Sequence, residues 1–375
     1  MKSLSHIYEN ITDVGNIIRT MYKAFQGKKK NRSVMKFLAP ESIGRNAERI
    51  QKYIESGTLP VQCKRDPKII HEPSAKKDRI IYPPHNEEHV LHHLVCQELE
   101  PMFMRGMYEF CVASVPGRGD SYGRKYMKRW VKRNKKLYVL KLDIHHFFDS
   151  IDRKILFDKL SERINDERFL AIIRKILWYD GNKNGKGIPI GFYTSQWFAN
   201  FYLQDFDYFI KQELHALHYM RYMDDIVILD TNKRKLWRIY LEVKSYLENR
   251  LHLKLNGNRQ LFRFSYPDKS GKEKGRAIDF MGYVFHYNRA TLRKRTLFRV
   301  RQKANKIAKK IKPSWYECTQ LISRMGRMVH VQTHSYFVRW IKPKVNMKRL
   351  RRIVSNYGKK KSRIERMDCY AKSCL

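Results

Sequence analysis

Two adjacent carboxylates interrupt an apolar run. In HYMRYMDDIVILD, residues 218–230, Asp224 and Asp225 stand between RYM and IVIL. Alternation on both sides predicts two short strands joined by a tight turn at Met223-Asp224. A third acid, Asp143, sits near the end of another strand pattern, LYVLKLDI over 137–144. A carboxylate in an apolar strand carries a desolvation cost unless a cation pairs with it, and neighbouring carboxylates repel. A divalent cation resolves both problems. Hard oxygen ligands suit magnesium, which keeps waters and takes substrate phosphates as its remaining ligands. Two such ions about 4 Å apart can activate an attacking 3′-hydroxyl and stabilise a leaving pyrophosphate.

The charge balance points to the same class of partner. Lys and Arg number 78 against 36 Asp and Glu, a formal net of +42. Repulsion on that scale works against a compact state unless an anion offsets it. With 42% hydrophobic and 13% aromatic residues the chain reads as globular. Basic faces interleaved with aromatics then suggest nucleic acid rather than a membrane surface. The opening MKSLSHIYENITDVG has no apolar core of signal-peptide length, and no stretch reaches the roughly 20 apolar residues of a span. Six cysteines without a CxxC pair suggest neither a disulfide framework nor a zinc site. The expectation is a cytoplasmic protein with reduced thiols, no membrane partner, and room for two or three lobes.

Along the chain, residues 1–60 read as helical and amphipathic, broken by the basic run GKKKNR at 27–32. Ile69-Ile70 and Ile80-Ile81 are strand-like pieces around AKKDR. Asn86 is placed to cap a helix carrying Val90, Leu91, Leu94, Val95 and Leu99 at helical spacing. VPGRGDSYG at 115–123 reads as a loop before a basic helix. Residues 153–178 read as helical, 180–191 as a loop, and SQWFANFYLQDFDYFI as a long helix. Residues 235–250 read as helical, and AIDFMGYVF at 277–285 as a strand pair or strand plus turn. From 291 onward 25 Lys and Arg face 3 acids, Glu317, Glu365 and Asp368. With Trp315, Tyr316, Tyr336, Phe337 and Trp340 among them, this reads as a helical nucleic-acid clamp.

YMDD at 222–225 is similar to the catalytic hairpin of reverse transcriptases, and KLDIHHFFDSI at 141–151 looks like their first metal-binding strand. The resemblance implies an α+β right-hand polymerase. Its parts would be a basic helical extension at 1–60, fingers at 61–136 with 153–186, a palm of antiparallel sheet backed by helices at 137–290, and a helical thumb at 291–375. It implies two magnesium ions, with manganese as a substitute, on Asp143, Asp224, Asp225 and the carbonyl of Ile144. Phe148 matches the steric gate that excludes a ribose 2′-hydroxyl. Phe147 beside it reads as core, since adjacent strand residues point to opposite faces. AKKDRII at 75–81 resembles the fingers motif that meets the triphosphate, through Arg79 with Lys76 or Lys77. LHLKLN at 251–256 resembles the motif holding a general acid, here Lys254. IDFMGYVF at 278–285 resembles the primer grip, at Met281 and Gly282.

The subfamily signal lies in GIPIGFYTSQWFAN, 187–200. Most bacterial reverse transcriptases, such as those of group II introns and retrons, have Gln before this glycine and Ser-Pro after it. Here stand Ile190-Gly191 and Ser195-Gln196, and this IGxxxSQ pattern resembles the enzymes of diversity-generating retroelements. That resemblance implies error-prone copying of a template-repeat RNA at adenine into cDNA, from deoxynucleoside triphosphates. It also implies an accessory variability protein, a small basic helical oligomer. Gly191 and Gln196 would then border the nucleotide, with Ile190 and Gln196 setting fidelity. Two enzyme alternatives are a group II intron-like and an abortive-infection-type reverse transcriptase. An RNA-binding scaffold on a polymerase fold is the alternative of another class, and a nuclease or DNA-only polymerase a further one.

Overall fold

Tyr219 and Met220 on one side of the acids, and Ile226 to Leu229 on the other, are fully buried, which is what the apolar alternation requires. They form the antiparallel pair His218–Tyr222 and Asp225–Asp230, with Tyr222 opposite Asp225 and Met223-Asp224 as the turn. The computed structural model describes residues 7–28, 31–58, 68–72, 77–133, 136–179 and 185–358. Lys76 lies outside them, as do Cys63, Cys369 and Cys374.

The chain opens with α1 (Tyr8–Thr12), α2 (Val14–Ala24), α3 (Arg32–Phe37) and α4 (Pro40–Glu55). The antiparallel strands β1 (Lys68–Glu72) and β2 (Lys77–Ile81) follow, then α5 (Asn86–Arg105) and α6 (Asp120–Arg133). Next come β3 (Tyr138–Asp143), α7 (Phe147–Ser150), α8 (Arg153–Ser161), α9 (Glu167–Leu177), α10 (Tyr193–Tyr202) and α11 (Gln204–Tyr208), the last running into a π-helical turn, Phe209–Glu213. The hairpin is β4 (His218–Tyr222) and β5 (Asp225–Asp230), and α12 (Lys233–Arg250) follows it. Then come β6 (Gln260–Arg263), β7 (Tyr266–Pro267), β8 (Glu273–Lys274), β9 (Ile278–Phe280), β10 (Tyr283–Phe285) and β11 (Ala290–Leu292). The helices α13 (Lys294–Ala308), α14 (Trp315–Met325) and α15 (His334–Trp340) lead to a helical stretch over 347–358. The chain is thus mixed helix and antiparallel sheet, as expected. The central sheet has the order β4-β5-β3-β6, which sets the strand of Asp143 beside the strand that begins at Asp225.

Contacts divide the chain into two units, Met1–Gly119 with Leu140–Leu261, and Asp120–Val139 with Phe262–Leu375. In the first, α10 packs on α5, and Phe103 meets Trp197, Phe198 and Phe201. In the second, α6 meets β10 of the three-stranded sheet β11-β10-β9, and Tyr283 donates its hydroxyl to Asp120 at 3.3 Å. No helix of the described residues is long and apolar enough to cross a membrane. Cys96, Cys111 and Cys318 are free and buried.

Local reasons account for the departures from expectation. His85, not Asn86, is the cap of α5, and its N–H donates to Glu88 at 3.2 Å. The span 153–178 is two helices, because Asp166 caps α9 by accepting the Phe169 N–H at 3.1 Å. The same carboxylate accepts from Ile7 and Tyr8, which ties down the start of α1. The long helix behind 190 breaks at Leu203 (φ −92°, ψ 6°). The glycine loop at 115 ends sooner than expected, since α6 begins at Asp120. Across LHLKLN the bridge Leu255 to Ile144 is the sheet-like contact.

Candidate active site

Each acid is aimed by backbone pairing. Asp143 ends β3, where its carbonyl accepts the Asn256 N–H at 2.8 Å and its carboxylate the Asn256 amide at 3.3 Å. Asp224 occupies the hairpin turn, and its carbonyl accepts the Ile144 N–H at 3.3 Å. That bond holds the turn against the residue after Asp143. Asp225 opens β5 and pairs with Lys141 of β3 at 3.3 Å. The turn has a cost: Met223 has φ 54°, a region that favours glycine.

The electrostatics favour a cation. Burial pushes the Asp225 carboxyl up to about 6; Lys141 opposes the shift, and Asp143 and Asp224 add to it. Among the described residues no three carboxylate, histidine or cysteine side chains converge into a complete metal cage. Asp143 and Asp224 reach one cleft, with the main chain of Ile144 between them. Hard oxygens in an incomplete shell fit a magnesium-like ion that completes itself with waters and phosphates. A carboxyl with a raised pKa holds its proton near pH 6, and an arriving cation expels it. Calorimetry in buffers of different ionisation enthalpy should show proton release with Mn2+ or Mg2+ binding at pH 6 and none at pH 8. Equal release at both would separate Asp225 from the cation.

The cleft holds about 610 Å³. Its lining includes Asp143, Asp224, His145 and His146, together with Phe148, Ile188, Pro189 and Ile190, and Asp78 and Ile80 of β2 with Tyr82 just after it. Phe148 is half-buried, and Phe147 is 2% exposed. The expectation that these rings diverge as strand neighbours is corrected in its cause. They sit on the helical turn α7, entered through His146 at φ 44°. The Phe148 carbonyl accepts the Ile188 N–H at 2.9 Å, and buried Arg153 donates to the Gly187 carbonyl at 2.5 Å. Loop 185–191 is therefore pinned against α7. Its far end is tied to the segment after β2, where Tyr82 N–H donates to the Ile190 carbonyl at 3.0 Å. A Cβ on Gly191 (φ 124°) would stand 2.5 Å from the Tyr82 carbonyl oxygen. The chain's own backbone is thus sufficient reason for a glycine there.

Other expected site residues are placed apart. Gln196 is exposed on α10 and does not line the cleft. Lys254 is exposed too; its carbonyl accepts the His145 N–H at 2.8 Å, so its backbone serves the site while its side chain does not line it. Lys77 and Arg79 belong to β2. Met281 and Gly282, at φ 52° and 82°, make the two-residue turn between β9 and β10 in the second unit. Sequence reasoning missed Asn256, Tyr82, and a buried group formed by Arg221, Asp207 and Asn200. The signal for the last was an arginine inside the strand run HYMRY.

Comparison with known proteins fits this geometry. The family model described as reverse transcriptase (RNA-dependent DNA polymerase) matches residues 70–285, more than half the chain. No curated protein matches the sequence. Telomerase from Candida albicans, in complex with the TWJ fragment of telomeric RNA, is similar at 12% identity and TM-score 0.47, over 78% of this chain and 59% of that one. Apo telomerase from Candida tropicalis, truncated of its C-terminal domain, is similar at 13% identity and TM-score 0.43, over 66% and 60%. The chain thus spans about three fifths of the length of these structures. With the family match covering the hairpin, the first acid and the cleft walls, the chain belongs to the reverse transcriptase (RNA-dependent DNA polymerase) family.

Proposed function

We propose that this chain is an RNA-directed DNA polymerase which copies a template-repeat RNA into adenine-mutagenised cDNA within a diversity-generating retroelement. The observation that carries the polymerase reading is the shared cleft. Asp143 and Asp224 line it together with Phe148 and residues 186–190. Asp143, Asp224 and the Ile144 carbonyl would hold divalent ions, with Asp225 behind them. Bound there, such ions would neutralise phosphate charge and favour the attacking oxygen. The chain's own groups do the rest. Phe148 would exclude a 2′-hydroxyl, and Arg79 with Lys76 or Lys77 would meet the triphosphate. Met281 and Gly282 would support the primer strand. Lys254 could act as a general acid only by swinging its exposed side chain into the cleft. RNA binding is supported by the net charge of +42. It is also supported by a recess of about 570 Å³ on the N-terminal helices, lined by Lys36, Arg45 and Arg49.

The finer assignment is supported by Ile190 and the IGxxxSQ pattern. Ile190 lines the cleft and offers only apolar contact, so a mispair loses no hydrogen bond there and discrimination weakens. The bias toward adenine comes from the resemblance alone, as does the basic accessory protein. The test is to sequence cDNA made on a defined RNA, with any accessory protein supplied. Wild type should err most at adenine, and Ile190→Gln should lower that error more than errors at other bases. Uniformly low wild-type errors would end the retroelement assignment and leave the polymerase reading standing.

A further inference from the structure

Beneath the hairpin lies a buried ion pair that the proposed chemistry does not use. Arg221 of β4 and Asp207 of α11 are both 0% exposed in their side chains. Arg221 Nε donates to Asp207 Oδ1 at 2.7 Å and Nη2 to Oδ2 at 2.6 Å. Tyr219 adds its hydroxyl to Oδ1 at 2.5 Å. The remaining nitrogen, Nη1, donates to Asn200 Oδ1 at 3.0 Å and to the Met223 carbonyl at 3.2 Å. The strand itself is fixed at this point, since Arg221 N–H donates to Phe110 and its carbonyl accepts from Val112, each at 3.0 Å.

Stability alone does not select such a group. Taking two charges out of water is costly, and apolar side chains of similar volume often serve a core as well. What a doubly held guanidinium supplies is direction, because its donors form a rigid planar fork. Here the fork ends on the peptide that joins Met223 to Asp224. Met223 sits at φ 54°, so this turn does not hold its orientation by local preference. The peptide after Asp224 is held as well, through its carbonyl on Ile144. Asp224 therefore hangs between two anchored peptides, one of them anchored by Arg221.

We propose that Arg221, clamped by Asp207 and Asn200, is a positioning residue that aims the Asp224 carboxylate at the cation shared with Asp143. This rests on the polymerase reading above. The group explains why an arginine of β4 and an aspartate of α11 are both fully buried.

The test replaces the clamp without opening a hole. In Arg221→Met/Asp207→Leu/Tyr219→Phe the charges and the dependent hydroxyl leave together, so the variant should fold with a melting temperature near wild type. Mn2+ binding to the full chain, followed by electron paramagnetic resonance, should weaken roughly 10-fold or more. Turnover per titrated active site should fall on the order of 10²-fold, with KM for the nucleotide little changed. Arg221→Lys is the second variant. It keeps the charge but gathers its three donors on one nitrogen, where the guanidinium makes four bonds from three, and the same two losses are expected. A folded triple variant, or Arg221→Lys, with wild-type Mn2+ affinity and turnover would overturn the proposal and leave the group a core element. A wild type that binds Mn2+ but extends no primer would remove the polymerase reading, with the Mn2+ affinities still deciding the clamp.

Discussion

Asp224→Asn should abolish nucleotide addition while the protein stays folded. Asparagine keeps the shape of the side chain and removes its charge, and the turn is held by main-chain bonds that the substitution leaves alone, Ile144 N–H to the Asp224 carbonyl among them. What is lost is an anionic oxygen in a cleft where a cation would sit. Asp143→Asn should do the same from the other strand. Each should cost roughly 10³-fold or more in primer extension, equivalent to about 4 kcal/mol or more of transition-state stabilisation. RNA binding should persist in both, since it draws on distant cations. Extension within tenfold of wild type by either variant would sink the active-site assignment.

Phe148→Ala should admit ribonucleotides. The ring is half-buried on the cleft wall beside Asp143 and Asp224, and its neighbour Phe147 carries the packing role at 2% exposure. Removing the ring therefore opens space in the cleft more than it hollows the core. The main chain at this point stays pinned by the Ile188 N–H to the Phe148 carbonyl. The ratio of ribo- to deoxynucleotide incorporation should rise roughly 10- to 200-fold, the range expected for admitting a small group to an apolar pocket. An unchanged ratio would mean that some other side chain guards the 2′ position. A large loss of thermal stability would instead mark Phe148 as core.

Much of the site is legible along the chain, because its elements are local. A strand alternates with period two, so apolar residues on both sides of Asp224 and Asp225 already imply a hairpin with acids at its tip. The same alternation over 137–144 brings Asp143 to a strand end, and the acids then need a cation whatever the remaining topology. Phe148 comes from the family resemblance and from no local pattern; the structure shows that it lines the cleft. Helix boundaries are less legible. One side-chain cap such as Asp166 can split a predicted helix, and that depends on which backbone groups come near it.

The chain by itself thus determines the acidic hairpin, the basic character and the family pattern. All of these rest on neighbours in sequence and on net composition. Only the tertiary structure decides the cleft's far wall and the support beneath its floor. Tyr82 and Gly191 meet because two distant loops cross so closely that a Cβ at 191 would overlap a carbonyl. Arg221 becomes intelligible only when Asp207 and Asn200, from helices earlier in the chain, close around it. The physical reason is the same for both. Desolvated polar groups and close backbone crossings draw their energy from partners far away in sequence, and no local periodicity records which partners those are.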